Sequence, residues 1–508
     1  MTKVKLNLHS YKTWHRKEYV KATLMLLGTF IATVCFYLLF IALHTVFDKA
    51  CGTTFKGYFT ANWNDFLYLC FTSLFLYFTI FIYMVFENTN EFIKVRNQFL
   101  VYTVLCTTLL VSVFMERFVH MYARPVVLTA LLACSLFGKK NALFLNTIMC
   151  FFVLALDMFV GLKFVDATKT DVVRLEYVEF LTNFMTGVVA AYFVSMGKTR
   201  FGLIAYGLLL TLPEAIGVFA LTGFSKVAWQ LVIFSVLSGI VAVVLTTICL
   251  PIFEVLFNCV TNYRLAELTD HDNKIMKKLR ETAPGTFNHS IVVANLAEAC
   301  AIAIGENPAL ARACAYYHDI GKIDKVPYFS ENQSGENIHD DLTPELSVNI
   351  IRDHAKKGYM FAKKFRLPDE IADACLEHHG TLPIKYFYAK AIKMTEGDLD
   401  IRNYSYQGPK PQSKITAIIM IADACEAIVR TRAQRTRDDV DKIVQNVIDE
   451  RLELGQFDEC PITIQDLYVI RNALDNSLSG VYHSRIKYPR IKIRKENANR
   501  QEDNHEES

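Results

Sequence analysis

The chain lacks a charge of one sign. Its 508 residues carry a formal net charge of only +3, so no global field points to nucleic acid, and no nucleic-acid partner is expected. It also lacks any C-x-x-C pair among its 13 cysteines. Six of these, Cys35, Cys70, Cys106, Cys134, Cys150 and Cys249, lie in apolar runs. They read as small core hydrophobes and exclude a disulfide framework or a thiolate zinc site. No period-2 strand pattern of note appears in the C-terminal half. What is abundant is apolar surface: 52 % of the residues are hydrophobic and 13 % aromatic, which excludes disordered and collagen-like classes.

From about residue 22 to 257, apolar runs follow one another with short polar breaks. A membrane span needs about 20 apolar residues. Eight runs fit: about 22–47, 66–87, 98–115, 123–138, 141–162, 178–196, 201–223 and 228–257, the fourth being the shortest. The first is too long for a signal peptide and is followed by further spans. Lys and Arg are denser on the side of the N-terminal segment, which carries Lys3, Lys5, Lys12, Arg16, Lys17 and Lys21. Lys94, Arg96, Lys139, Lys140, Lys198 and Arg200 add to that side. This bias puts the N-terminus inside, and an even number of spans puts the C-terminal half there too. The expected fold is all-α: a polytopic transmembrane helical bundle followed by a cytosolic all-helical domain. The boundaries read as 1–21 for a cytosolic segment, 22–257 for the membrane domain, 258–283 for a helical connector, 284–484 for the soluble domain and 485–508 for a charged tail.

The soluble half is punctuated as helices. Ser290 reads as an N-cap and Gly305 as a stop, while Pro308 and Pro344 take first-turn positions. The tail is basic and then acidic. It reads as solvated, and its basic part could meet anionic lipid.

Six of the 13 histidines crowd between His289 and His379. His289 lies in FNHS, His318 beside Asp319 in YYHDIGK, His354 in IRDHAKKG, and His378–His379 in EHHGT. Asp423 lies in an apolar helix, IMIADACEAI, where a carboxylate is costly to bury unless it is paired or metal-bound. Adjacent residues on a helix point about 100° apart. Both members of a doublet therefore reach one centre only near a helix end, and Gly321 and Gly380 mark such ends. Imidazole and carboxylate form a ligand set for iron, manganese or zinc. Seven ligands exceed the need of one ion and suggest a two-metal centre, which suits phosphoester hydrolysis.

The order H…HD…H…HH…D resembles the HD-domain phosphohydrolases. Within them it is most similar to the membrane-bound seven-transmembrane HD family, whose members include cyclic di-AMP phosphodiesterases. The matching stretches are LRETAPGTFNHSIVVANLAEA, ALARACAYYHDIGKI, YFSENQ, DDLTPELSVNIIRDHAKKGYMFAKKF, LEHHGT and the GPKPQSK before IMIADACEA. The resemblance implies that His289, His318, Asp319 and Asp423 hold one divalent ion. Asp319, His354, His378 and His379 hold the other, with Asp319 bridging. Family precedent favours iron or manganese. An activated water would open cyclic di-AMP to linear 5′-pApA, with Asp319 and Lys322 as catalytic residues and Lys322 neutralising a phosphate oxygen. Asn332, Gln333 and Lys414 are candidate polar contacts for the nucleotide. The family resemblance also implies a bacterial inner (plasma) membrane location.

Two features depart from the family. Its members usually carry a large extracytoplasmic domain after the first span, and here only a short loop, near residues 48–65, stands in that place. The cyclic di-GMP-hydrolysing HD-GYP branch carries Gly-Tyr-Pro after its histidine pair, whereas GTLPIKYFYAK follows here. Hydrolysis of another nucleotide (cyclic di-GMP, pApA or ppGpp) is one alternative. A membrane receptor that binds nucleotide without cleaving it is another, and a transporter is a weaker third. Asp157 and Glu214 lie inside apolar runs and mark a candidate small-molecule or ion site in the lipid bilayer. A homodimer is compatible with the sequence.

Overall fold

The computed structural model describes residues 16–481 apart from 48–53, 88–91, 161–168, 198, 225, 334, 336, 396–397 and 433–435. The charged tail and the first fifteen residues lie outside the described residues. No strand occurs among the described residues, only an isolated bridge between Pro383 and Ser405. The chain divides into two units. One holds the residues up to Pro284 together with Lys357–Asp373, and the other holds Gly285–Lys356 and the residues from Ala374 onward.

The first unit is a bundle of long apolar helices. These are α1 (Arg16–Phe47), α2 (Phe55–Phe86), α3 (Val95–Phe118), α4 (Leu128–Phe159), α5 (Lys169–Met196), α6 (Arg200–Leu209), α7 (Thr211–Thr222) and α8 (Lys226–Leu256). Phe71 and Phe75 on α2, Phe114 on α3 and Ile233 on α8 are well exposed. Such faces are stable against lipid tails and not against water. Inside the bundle, hydroxyls pair across helices: Thr33 with Tyr77 at 2.6 Å and Tyr37 with Ser73 at 2.9 Å. In a medium without water each polar group must find such a partner. The chain is thus a multi-pass membrane protein.

Three details refine the span pattern. The fourth and fifth apolar runs form one helical element, α4, broken at Gly138, where φ is +81° and ψ is 173°. Arg124 and Asp157, 33 residues apart, nevertheless share hydrogen bonds of 2.6 Å. A straight helix of that length would hold them about 50 Å apart. The two limbs therefore run side by side, and Gly138 supplies the reversal that a residue with a Cβ resists. The seventh run is split at Leu210 into α6 and α7, with Pro213 inside the first turn of α7, where its missing N–H costs little. The loop after the first span is shorter than its composition suggests, because α2 begins at Phe55.

The connector forms two short helices, α9 (Asn262–Leu268), capped by Thr261, and α10 (Lys274–Thr282), capped by Asn273. Residues 357–373 cluster with this unit: Arg264 Nη2 donates to the Arg366 carbonyl at 2.6 Å and Arg96 faces Asp369 at 3.8 Å.

The second unit packs α11 (Pro284–Ile304), α12 (Pro308–Tyr317), α13 (Pro344–Lys364, to Lys356), α14 (Asp369–Glu377, from Ala374), α15 (Lys385–Met394), α16 (Lys414–Thr431), α17 (Arg437–Glu453) and α18 (Ile464–Val481). The α11 helix is long and apolar enough to pass for a span, but it belongs to this unit and carries His289. Ser290 is not its cap. The helix starts six residues earlier at Pro284, and Ser290 is fully buried within it. The side chain of Asn332 takes over the N-terminal role, accepting from the backbone N–H groups of Gly285 at 2.8 Å and Thr286 at 3.2 Å. Asn307 caps α12 ahead of Pro308, and a Ser413–Thr416 capping box opens α16.

Candidate metal centre

Five helices deliver the seven side chains. His289 comes from the first two turns of α11, and His354 from the middle of α13. His318 is the C-cap of α12, with Asp319 next to it. His378 and His379 follow the last residue of α14, ahead of Gly380 at φ +51°. Both doublets thus sit where a helix ends, which lets two consecutive side chains converge. Asp423 lies in the third turn of α16.

Asp319 is at the middle. Its Oδ2 lies 3.3 Å from His318 Nε2 and 3.7 Å from His289 Nε2. Its Oδ1 lies 3.2 Å from His354 Nε2 and 3.7 Å from His378 Nε2. Asp423 closes the first side, 3.0 Å from His289 Nε2, and its other oxygen is 3.8 Å from His379 Nδ1. The donor atoms of His289, His318 and Asp423 lie within 4.8 Å of one another, as do those of His354, His378 and His379. Each group is mostly or wholly buried.

The ring tautomers are fixed from behind. The Nδ1–H groups of His318, His354 and His378 donate to the carbonyls of Ala315, Ile351 and Cys375 at 2.7, 2.6 and 2.9 Å. Their Nε2 lone pairs are left facing the centre. As a result His354 Nε2 and His378 Nε2 stand 3.2 Å apart as two acceptors, and that arrangement is repulsive unless a cation lies between or beside them. His318 Nε2 and Asp319 Oδ1 are buried without a hydrogen-bond partner. These orphaned donors, all nitrogen and oxygen, fit divalent metal ions.

Electrostatics point the same way. Burial disfavours charge on Asp319, but the Lys322 ammonium outweighs it and holds the carboxyl well below its usual range. Asp423 is also buried, and its hydrogen bond to His289 holds it low. Burial pushes the His378 imidazole down to about 4 and His379 well below its ordinary value. Both rings are therefore neutral at neutral pH, with lone pairs free for a metal. His289 goes the other way. Burial works against its charge, but hydrogen bonds to Asp423 and Glu426 raise it to about 10.

Lys322 was expected to face a phosphate. Its Nζ instead binds Asp319 Oδ2 at 2.7 Å and Glu331 Oε1 at 2.8 Å, beneath the Phe329 ring. Glu331 also accepts from the Thr286 hydroxyl at 3.0 Å. In this arrangement Lys322 fixes the central carboxylate. Of the three candidate nucleotide contacts, Asn332 caps α11, Gln333 donates to the Pro327 carbonyl, and Lys414 pairs with Asp466 at 2.9 Å.

Sequence reasoning missed two residues. Glu426 Oε2 lies 2.6 Å from His289 Nδ1 and orients that ring. Its signal was its place three residues after Asp423, on the same helix face. Tyr406 stacks on His379, with ring centroids 4.1 Å apart, and nothing local in its loop announced that.

Residues 286–428 match the family model described as HD domain, and residues 63–261 match the one described as 7TM receptor with intracellular HD hydrolase. The cyclic-di-AMP phosphodiesterase PgpH of Listeria monocytogenes serotype 1/2a (strain 10403S) is 47 % identical over 257 residues, covering 50 % of this chain and 36 % of the relative. The protein of the same name from Bacillus subtilis (strain 168) is 34 % identical over 420 residues, covering 80 % of this chain and 57 % of the relative. A solved structure of the L. monocytogenes PgpH HD domain in complex with cyclic-di-AMP is 49 % identical. It covers 42 % of this chain and 99 % of that chain, with a TM-score of 0.40. The chain spans about a third of one curated relative's length and somewhat over half of the other's.

Proposed function

The chain belongs to the membrane-bound seven-transmembrane HD-domain family, and we propose that it is a metal-dependent phosphodiesterase that opens cyclic di-AMP to linear 5′-pApA. The observation that carries this reading is Asp319, whose two oxygens face two separate groups of histidines. The names of the similar proteins supply the substrate class.

In this reading His289, His318, Asp319 and Asp423 hold one ion, and Asp319, His354, His378 and His379 hold the other, iron or manganese being the expected metals. Two such ions supply Lewis acidity toward the phosphoryl group and a water activated for in-line attack. The chain's own residues prepare this. Backbone carbonyls aim three imidazoles inward, Glu426 aims His289, and Lys322 with Glu331 holds Asp319 ionised and in place. The low values of His378 and His379 remove proton competition for the lone pairs.

The hydrolase would occupy residues 284–484 and the membrane domain 22–257, joined by the connector 258–283, in a bacterial inner membrane with the hydrolase on the cytosolic side. Regulation by the spans is part of the reading. Its support is chain continuity: residues 357–373 fold with the spanning unit and lie between His354 on α13 and the His378–His379 pair after α14. The test is side-by-side turnover of cyclic di-AMP and cyclic di-GMP by purified full chain reconstituted anaerobically with Fe²⁺ or Mn²⁺. Conversion of cyclic di-AMP to pApA is expected. Turnover of cyclic di-GMP alone would move the substrate, and turnover of neither would favour a nucleotide-binding receptor.

A further inference from the structure

A second cluster of acids lies in the spanning unit, apart from the histidines. Its hub is Arg124, just before α4 and only 2 % exposed. Both of its terminal nitrogens donate to Asp157, each at 2.6 Å. Nη2 also lies 2.8 Å from Glu116 at the end of α3, and Nη1 lies 3.3 Å from Glu179 on α5. One guanidinium thus faces three carboxylates. A fourth, Glu176, sits one turn before Glu179 and is 5 % exposed.

Asp157, Glu176 and Glu179 line a cavity with the Asn183 side chain, walled by Val126, Cys150 and Val153 among others. The Glu179 side chain is 96 % buried, and its Oε1 has no hydrogen-bond partner. A fifth acid lies nearby. Glu214 on α7 is 2 % exposed, and neither of its oxygens has a partner. Its Oε2 lies against Gly239 of α8, whose neighbour Ser238 donates to the Arg124 carbonyl at 2.7 Å. Glu179 acts on Glu214 electrostatically.

An excess of buried carboxylate over one guanidinium in a hydrocarbon-walled site calls for compensation, by a bound cation or by protons on the acids. The size of the cavity narrows the class. It has room for about one water-sized occupant. Room of that size suits a dehydrated inorganic ion better than an organic amine. Carboxylate and amide oxygens select hard cations.

We propose that Asp157, Glu176, Glu179 and Asn183 form a binding site for a hard metal cation, held between the last turn of α4 and the second to fourth turns of α5. The Arg124–Asp157 fork is its fixed wall and Glu179 its open ligand. This site is independent of the histidine centre and of the substrate assignment.

The test is thermal unfolding of the full chain in detergent, with Na⁺, K⁺, Mg²⁺ or Ca²⁺ chloride added to a choline chloride background at constant ionic strength and pH. The proposal expects at least one cation to raise the unfolding temperature saturably. Glu179→Gln should then shift the half-saturating concentration tenfold or more upward, with the histidine centre's metal content unchanged. Glu176→Gln reads the same site if the first variant does not fold. No cation effect beyond choline, or an identical titration in the variants, would overturn the proposal. An unfolding temperature that follows pH alone would also overturn it, since protons would then be the compensating charge.

Discussion

At the scale of single residues, the seven side chains that converge on the candidate centre stood out because metal chemistry restricts residue types and because doublets at helix ends are unusual. What supports them was not. Glu426 reads as one more polar residue on a helix, and only its contact with His289 Nδ1 gives it a role. Lys322 was legible as important, but its partners come from a 3-10 stretch whose path no periodicity encodes. Removing the carboxylate behind a metal-bound histidine typically costs 10–100-fold in metal affinity, on the order seen for such outer partners. Glu426→Gln, nearly isosteric, should weaken metal retention to that degree in chelator competition, and at neutral pH it should also lower the unfolding temperature of the metal-free chain, because the charged His289 loses one of its two carboxylate partners. Equal retention would show that His289 needs no such support. The same ring fixes a pH dependence. In the metal-free chain His289 is raised from 6.5 to about 10. Its contribution to stability is thus fully present below pH 6.5 and lost as pH rises through about 10. Metal uptake must displace that proton, so affinity strengthens with pH across this window. Calorimetric titration in two buffers of different ionisation enthalpy should report proton release at pH 7–8.

At the scale of elements, prolines and caps located several helix starts well, Pro308 and Pro344 among them. The exceptions have physical causes. Ser290 failed as a cap because Asn332, 42 residues further on, reaches back to the start of α11, a tertiary contact invisible to local pattern. The apolar α11 resembles a span by composition alone, since a buried core helix and a membrane helix draw on the same residues. Gly380 is where element geometry meets the site. Its φ of +51° turns the chain directly after the histidine pair, and a Cβ there would collide with Gln456 Oε1. Gly380→Ala should therefore cost about 1–2 kcal/mol of stability for the left-handed conformation, more if Gln456 cannot yield. It should also lower metal content by displacing His379. Chemical denaturation together with metal analysis reads both effects, and an unchanged metal content would mean that the turn does not position the pair.

At the scale of the whole molecule, the composition break near residue 258 marks the end of the apolar runs, while the structural division falls at Pro284 and returns residues 357–373 to the first unit, a tertiary grouping that composition does not encode. The eight apolar runs anticipated the two limbs of α4, although the tight reversal at Gly138 could not be read from Gly-Lys-Lys alone. The acid cluster was only half legible. Asp157 and Glu214 stood out as ionisable residues in apolar runs. Arg124 and Glu116 lay at run edges, where charge is ordinary, and only packing gathered them. Substrate choice rests on similarity more than on geometry, because the residues that read the base carry no distinctive chemistry of their own.

The central claim is that Asp319 bridges two ions in one working centre. The most direct measurement is the metal count per chain of the anaerobically reconstituted protein, taken together with cyclic di-AMP turnover, for the parent and for Asp319→Ala. The account predicts two ions per chain in the parent, with loss of turnover and of bound metal in the variant. One ion per chain at full turnover, or an Asp319→Ala variant that still makes pApA, would contradict it.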